Sequence, residues 1–231
     1  MIDGIPRHPV DLVERIPEPE LMDDPEQARA YAGADFSEPH QAFVERFAQC
    51  FPRHRPRRVL DLGCGAADIT IRFARAHPGC DLTGVDGAPA MLALAREAIT
   101  RVELDHRVHL REVRLPDKTL AQHAFDTLIS NSLLHHLADP QVLWRAVVDC
   151  AEPGAAVFIM DLRRPDTREQ AGRLVQEYSG AEPEILQRDF FNSLLAAYRP
   201  EEIAAQLAQA GLSGLHVEVA GDRHVVVYGL L

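Results

Sequence analysis

Apolar residues recur along this chain in short runs, and stretches of helical spacing separate most of them. Short runs rich in Val, Leu and Ile are typical of strands that are covered on both faces of a parallel sheet. The predicted strands cover residues 57–65, where a strand runs into a glycine turn, and residues 81–86, 107–112, 125–130 and 155–161. This alternation predicts an α/β fold built on a parallel sheet.

The end of the chain departs from this alternation. Residues 215–220 and 224–229 are two strand-like runs joined by Gly221 and Asp222, a pair typical of a tight turn. They predict an antiparallel pair of strands at the end of the sheet.

Two further segments lie outside the alternating pattern. Residues 1–56 are expected to form an N-terminal extension with cap helices, including one over residues 36–51, and residues 57–231 the α/β domain. Residues 163–199 are too many for a simple connection, and helices are predicted within them at 167–178 and 190–198. We expect this insertion to form a lid over the substrate.

The sequence Arg-Arg-Val-Leu-Asp-Leu-Gly-Cys-Gly at residues 57–65 is the most informative stretch. Gly63 and Gly65 lack a Cβ, so the backbone can take left-handed angles and approach a ligand closely. Asp61 ends this strand and Asp86 ends the next, where a carboxylate is well placed to accept hydrogen bonds from both ribose hydroxyls. The turn lacks the third glycine of the dinucleotide fingerprint and carries a nearby carboxylate. That carboxylate would repel a diphosphate but not a cationic sulfonium.

Three segments carry a resemblance to a known family. They are Val-Leu-Asp-Leu-Gly-Cys-Gly at residues 59–65, Asp86, and Phe-Asp-Thr-Leu-Ile-Ser-Asn-Ser-Leu-Leu-His-His-Leu at residues 125–137. In these segments the chain resembles the class I S-adenosylmethionine-dependent methyltransferases. The resemblance implies a doubly wound, Rossmann-like α/β sheet of seven strands, mostly parallel with an antiparallel last strand, and with helices on both faces.

The resemblance also implies S-adenosyl-L-methionine as the cofactor and suggests which residues bind it. The position of Met91 often lies near the adenine in this family, and an acid after the third strand often meets the adenine amino group. Glu112 is the only nearby acid, in a stretch that departs from the family pattern. The predicted cofactor-binding residues are Asp61, Gly63, Cys64, Gly65, Asp86, Gly87, Met91, Glu112, Asn131 and Ser132.

Methyl transfer from a sulfonium is an in-line displacement with a good leaving group, so the protein mainly aligns the reactants and excludes water. Alignment supplies roughly 7–11 kcal/mol of the barrier. A base is needed only where the acceptor must lose a proton, and His135 and His136 are the predicted catalytic residues because imidazole titrates near neutral pH. The alternative is that one histidine packs in the core and the other caps a helix or meets water.

A metal site would need a third ligand beside these histidines. Asp161, at the end of the fifth predicted strand, is the candidate from the sequence. Because no metal-ligand spacing supports it, the sequence predicts no bound metal.

The predicted substrate-binding residues are aromatic or basic and lie outside the glycine turn. Arg163 and Arg164 follow the fifth strand, where they could hold an acidic acceptor by bidentate contacts. Tyr31 precedes the first long helix, and Tyr178 and Tyr198 lie in the lid insertion. Each has a structural alternative, since arginines in loops are usually solvated and tyrosines often anchor packing.

Composition narrows the possible partners and compartment. A net charge of −11, from 24 basic and 35 acidic residues, argues against broad nucleic-acid binding. The four cysteines form no C-x-x-C pair, which suits a reducing compartment. With no signal-like start and no long apolar run, the chain is predicted to be cytoplasmic and not to associate with membranes.

These observations predict methyl transfer from S-adenosylmethionine to a small-molecule acceptor. The alternatives are an RNA methyltransferase, a carboxy-S-adenosylmethionine-type relative that uses the cofactor differently, and a non-catalytic S-adenosylmethionine-binding protein. The identity of the acceptor and the oligomeric state are left open, a homodimer included.

Overall fold

A computed structural model describes residues 12–19, 23–120 and 124–231. The predicted N-terminal extension therefore lies partly outside the described residues. The seven strands form one sheet in the order β3-β2-β1-β4-β5-β7-β6. They are β1 Arg58–Leu62, β2 Asp81–Asp86, β3 Val108–Glu112, β4 Phe125–Asn131, β5 Ala151–Leu162, β6 His216–Ala220 and β7 His224–Leu230.

Helices cover both faces of this sheet. They are α1 Pro25–Gly33, α2 Ser37–Cys50, α3 Asp68–Ala76, α4 Pro89–Arg101, α5 Gln141–Cys150, α6 Arg168–Ser179, α7 Glu184–Ala196 and α8 Pro200–Gln209, with a short 3-10 helix at Leu134–His136.

The strand directions confirm the predicted fold class. Strands β1 to β5 pair in parallel, and β7 runs antiparallel to both β5 and β6. The sheet is therefore mostly parallel with an antiparallel last strand. The register sets Asp61 beside Gly84 and Asp86 beside Glu112, so that the strands end at one common edge.

The core lies on both faces of the central strands, as the continuous apolar runs predict. On one face Phe43 and Phe47 of α2 meet Phe158 of β5, with ring centroids 4.9 and 5.8 Å from that of Phe158. On the other face Trp144 is fully buried, and its indole N–H donates to Gln206 at 3.0 Å. Burying an indole requires such a partner.

Two predicted helix boundaries are wrong. The second lid helix begins at Glu184, directly after Pro183, rather than at residue 190. It ends at Ala196, and Tyr198 instead forms an isolated bridge with Arg163. A proline favours the start of a helix because its missing N–H is not needed there.

Residues 12–19, which we call the strap, run along the lid helices. The backbone N–H of Val13 donates to Asp166 at 2.9 Å, and that of Ile16 donates to Leu195 at 3.0 Å. Val13 also packs against the apolar cluster between α6 and α7. The strap thus joins a distant part of the chain to the predicted lid.

Within the described parts of the chain, no helix combines the length and apolar character required to cross a membrane.

Candidate active site

A cavity of about 930 Å³ lies at the carboxyl ends of β1, β2, β4 and β5. Its walls come from the glycine turn, the α1–α2 region, the 3-10 helix and α7. Ligands of doubly wound sheets bind at this edge, where the strand order reverses. The cavity is therefore the candidate active site.

The two glycines of the turn have different tasks. Gly63 has a φ of +74°, and a Cβ placed on it would lie 3.0 Å from the Leu133 side chain. Gly65 has a φ of +52°, but a Cβ there would meet no atom within 4 Å, and the residue lines the cavity. The first glycine thus permits close packing within the protein, whereas the second keeps the backbone open toward a ligand.

Asp86 holds the turn in place from the end of β2. Its Oδ2 accepts a hydrogen bond from the Gly65 N–H at 2.9 Å, and its Oδ1 accepts one from the Ala88 N–H at 2.8 Å. Burial raises the pKa of Asp86, and hydrogen bonds from backbone N–H groups oppose that rise. Each carboxylate oxygen keeps capacity for a further hydrogen bond, as ribose hydroxyls would require.

Asp61 lies deeper, at the end of β1. It is 2 % exposed, and the Thr70 hydroxyl donates to its Oδ2 at 2.6 Å. Burial raises the pKa of Asp61 to about 7. A buried carboxyl of this kind is stabilised in its charged form by a cation, so Asp61 suits a ligand with a positively charged tail.

Neighbouring residues shape the same end of the cavity. Gly87 and the buried side chain of Met91 line it, as predicted. Cys64 also lines it, and burial raises the pKa of its thiol well above the usual value. Burial and nearby carboxylates likewise raise the pKa of Tyr31, which lines the cavity, to about 12. Neither group ionises near neutral pH, so both serve as packing or neutral hydrogen-bonding groups.

The end of β4 carries backbone strain next to the cavity. Ser132 has a φ of +56°, a backbone angle that residues other than glycine rarely adopt. Its N–H donates to the Met160 carbonyl at 3.0 Å. The Asn131 amide donates to the Ser132 hydroxyl at 3.0 Å. Both residues line the cavity, as predicted. Such strain concentrates at functional sites, where the surrounding structure holds it.

The histidine pair follows in the 3-10 helix, and both rings line the cavity. His135 is 2 % exposed, and its Nδ1 lies 2.5 Å from Oδ1 of Asp161. The Asp161 carboxylate also accepts the backbone N–H groups of Leu134 and Leu162, each at 2.7 Å. Burial alone would lower the pKa of His135, but Asp161 and Glu18 outweigh it, and the net shift is upward.

Glu18, from the strap, completes this cluster. Its Oε1 lies 3.2 Å from Nδ1 of His136 and 3.5 Å from Nε2 of His135, and the Ser193 hydroxyl donates to it at 3.0 Å. Burial raises the pKa of Glu18 and lowers that of His136 to about 3, so the His136 ring is neutral at physiological pH. The buried Nδ1 of His136, although close to Glu18, makes no hydrogen bond within the described part of the chain.

Four predicted site residues do not reach the cavity. Glu112, the last residue of β3, is exposed, and the next residue, the buried Val113, lines the cavity in its place. Arg163 donates to the Asp222 carbonyl at 3.0 Å. Arg164 is 3 % exposed and is bound to Glu202 and the Ala197 carbonyl.

Tyr198 is the fourth of these residues. Its hydroxyl donates to the Leu137 carbonyl at 3.0 Å, and the Arg15 guanidinium lies 4.1 Å from its ring centroid. Arg164 and Tyr198 are therefore structural, because the two terminal guanidinium nitrogens of Arg164 and the Tyr198 hydroxyl bind groups inside the protein. Tyr178 does line the cavity, although its hydroxyl donates to Asp222 at 2.8 Å.

Sequence reasoning missed Glu18 and Ser193. Glu18 lies in a Pro-Glu-Pro segment and Ser193 in the last turn of α7, 175 residues away in sequence. Neither has a motif around it, and only the packing of the strap on α7 brings them to the histidines. No local signal would have identified them.

Comparison with known proteins agrees with this geometry. Residues 60–157 match the family model described as a methyltransferase domain. The ubiquinone biosynthesis O-methyltransferase of Bordetella avium (strain 197N) is 32 % identical over 157 residues, which is 68 % of this chain and 62 % of the relative. The chain spans less than two thirds of the length of the first curated relatives it matches.

Solved structures share the fold at low sequence identity. The plantazolicin methyltransferase BpumL, in complex with SAH, has a TM-score of 0.67 at 13 % identity, covering 89 % of this chain and 90 % of that chain. A SAM-dependent methyltransferase from Aquifex aeolicus has a TM-score of 0.61 at 20 % identity, covering 90 % and 98 %. Residues 60–157 therefore match a methyltransferase domain, in a chain that has the fold of solved S-adenosylmethionine-dependent methyltransferases.

Proposed function

We propose that this chain transfers the methyl group of S-adenosyl-L-methionine to a small-molecule acceptor. One observation carries the proposal: a single cavity is lined at one end by the glycine turn with Asp61 and Asp86, and at the other by the histidine pair and α7. A cofactor at the first end and an acceptor at the second would share one enclosed space.

The residues present fit this cofactor. The open space beside Gly65 provides the close backbone approach that the ligand needs. Asp86 would receive the ribose hydroxyls, and Asp61 would face the positively charged amino acid tail. The cofactor supplies an activated methyl group on a sulfonium. The protein's own task is to orient the two reactants and exclude water.

Two features favour a small acceptor, and the names of the relatives favour one that carries a hydroxyl group. The acceptor end of the cavity is bounded by apolar side chains of the lid, including Leu186 and Phe190, rather than by a basic surface. The net charge of −11 also disfavours RNA. The relatives named as ubiquinone biosynthesis O-methyltransferases support an oxygen acceptor. An RNA acceptor is therefore the less favoured alternative.

Cofactor binding is tested first, with Asp86→Ala. Loss of charge-assisted hydrogen bonds should weaken S-adenosylmethionine binding by ~1.5–3 kcal/mol, or about 10–100-fold, in isothermal titration calorimetry. Asp81→Ala is the matched control, because Asp81 is an exposed aspartate at the start of the same strand. An unchanged dissociation constant in Asp86→Ala would contradict the ribose assignment.

Methyl transfer is tested by incubating the protein and methyl-labelled cofactor with a metabolite extract and, separately, with total RNA. We expect label in a small organic compound. Label in RNA would favour an RNA methyltransferase, and tight cofactor binding without transfer to any fraction would favour a non-catalytic binding protein.

A further inference from the structure

We propose that Glu18, His135 and His136 bind a divalent transition-metal ion, Zn²⁺ in the first instance, at the acceptor end of the cavity. Each residue offers one ligand atom, and these atoms all lie within 4.8 Å of one another. Two imidazoles and one carboxylate are the protein ligands of open, catalytic zinc sites. The sequence alone had predicted no metal.

The two distances from the Glu18 carboxylate to the histidine nitrogens suit one ion. Two atoms that are each bound at about 2.0–2.1 Å to a tetrahedral centre lie about 3.3 Å apart. Oε1 of Glu18 is 3.2 Å from Nδ1 of His136 and 3.5 Å from Nε2 of His135. These distances are close to that value without any movement of the strap.

The buried Nδ1 of His136 is the second observation. It lies 3.2 Å from Oε1 of Glu18 but makes no hydrogen bond within the described residues, although buried polar atoms nearly always make one. A bound metal ion would use the electron pair of this nitrogen. The carboxylates of Glu18 and Asp161 also bring negative charge to a buried place. The nearby Arg15 donates to the carbonyl oxygens of His135, Leu137 and Ala196, so its guanidinium is already engaged with backbone groups.

Asp161 supports the site without being a ligand. It accepts a hydrogen bond from Nδ1 of His135, which leaves Nε2 directed toward Glu18. Histidine ligands of metals usually donate their other ring N–H to a carboxylate in this way, which fixes the tautomer and the ring orientation. The residue that the sequence suggested as a third ligand is thus a positioning residue.

The role of the ion, unlike the site itself, rests on the proposed function. Both histidines line the cavity, so the remaining coordination positions face the acceptor end. An ion there would lower the pKa of an acceptor hydroxyl, as Zn²⁺ lowers the pKa of its bound water to about 7. The proton would leave to solvent. The oxygen would then form the new C–O bond while the C–S bond breaks and sulfur keeps the electron pair.

The site is tested on tag-free, chelator-treated protein by titration with Zn²⁺ in a calorimeter, and with Co²⁺ by visible absorption. We expect one ion per chain and the intense visible bands of tetrahedral Co²⁺. Glu18→Gln and His136→Gln should each weaken Zn²⁺ binding at least tenfold, and Asp161→Asn by about 10–100-fold. Glu14→Gln, an exposed glutamate in the same strap, and His106→Gln, an exposed histidine, are the matched controls.

Thermal unfolding followed by circular dichroism verifies that each variant is folded. Failure of folded wild-type protein to bind Zn²⁺ more tightly than about 0.1 mM, or equal binding by Glu18→Gln and wild type, would overturn the metal site. S-adenosylmethionine affinity, measured on the metal-free protein, tests the proposed function separately. Methyl transfer that is unaffected by chelation but reduced in His136→Gln would instead assign the histidines a metal-independent role.

Discussion

The two ends of the cavity are built in different ways. The cofactor end uses residues from one continuous stretch, from β1 to the start of α4. Within it, Gly65 and Asp86, which are joined by a hydrogen bond, are 21 residues apart in sequence. The acceptor end joins the strap, the 3-10 helix and α7, with Glu18 and Ser193 175 residues apart. The first end is formed by elements that are neighbours in sequence, whereas the second depends on contacts between segments far apart in sequence.

The strap should therefore control the acceptor end alone. Arg15→Ala removes a guanidinium that donates to three backbone carbonyls and lies over the Tyr198 ring, leaving those acceptors less well satisfied. We expect the free energy of unfolding to fall by ~2–4 kcal/mol in urea titrations. Arg53→Ala, at an exposed position, is the control.

The S-adenosylmethionine affinity of folded Arg15→Ala should stay within about twofold of wild type, because the strap contacts the acceptor end only. For scale, a tenfold change in affinity corresponds to about 1.4 kcal/mol. A larger loss would show that the two ends are not independent.

The two glycines of the turn separate packing from ligand contact. Gly63→Ala combines a left-handed φ with a close approach to Leu133, so it should lower the free energy of unfolding by ~2–3 kcal/mol. Gly65→Ala introduces only the backbone strain and should lower the free energy of unfolding by about 1 kcal/mol. Chemical denaturation measures both values.

Cofactor affinity should be reduced more by Gly65→Ala than by Gly63→Ala, the reverse of their effects on stability. The new methyl group of Gly65→Ala enters the cavity, whereas that of Gly63→Ala is directed at Leu133. Equal affinities in the two variants would remove the distinction between a packing glycine and a ligand-facing one.

The pH dependence of cofactor binding tests Asp61. Its raised pKa of about 7 means that the free protein holds a proton there below neutral pH, while a cationic ligand tail favours the charged carboxylate. Binding should therefore release a proton and strengthen as the pH rises from 5.5 to 7.5. This coupling between proton release and binding predicts that S-adenosylmethionine binds about tenfold more weakly at pH 6 than above pH 7.

Asp61→Asn should bind S-adenosylmethionine more weakly and without this pH dependence. Calorimetry in buffers of different ionisation enthalpy measures the released proton directly. A flat profile in the wild type would show that Asp61 does not face the charged tail.

The sequence by itself determined the sheet and the cofactor end. Continuous apolar runs specify buried parallel strands, and the Gly63 and Gly65 turn with Asp61 and Asp86 needs only neighbouring elements to form. For that reason the fold class is confirmed and the predicted cofactor residues line the cavity, except Glu112, which is exposed at the end of β3.

Only the tertiary structure decided the acceptor end. Arg164 and Tyr198 have the chemistry of substrate ligands, but burial engages them in internal hydrogen bonds. Glu18 has no motif, yet the packing of the strap places it against His135 and His136. Contacts between segments far apart in sequence depend on how the whole chain packs, and no local pattern of residues encodes them.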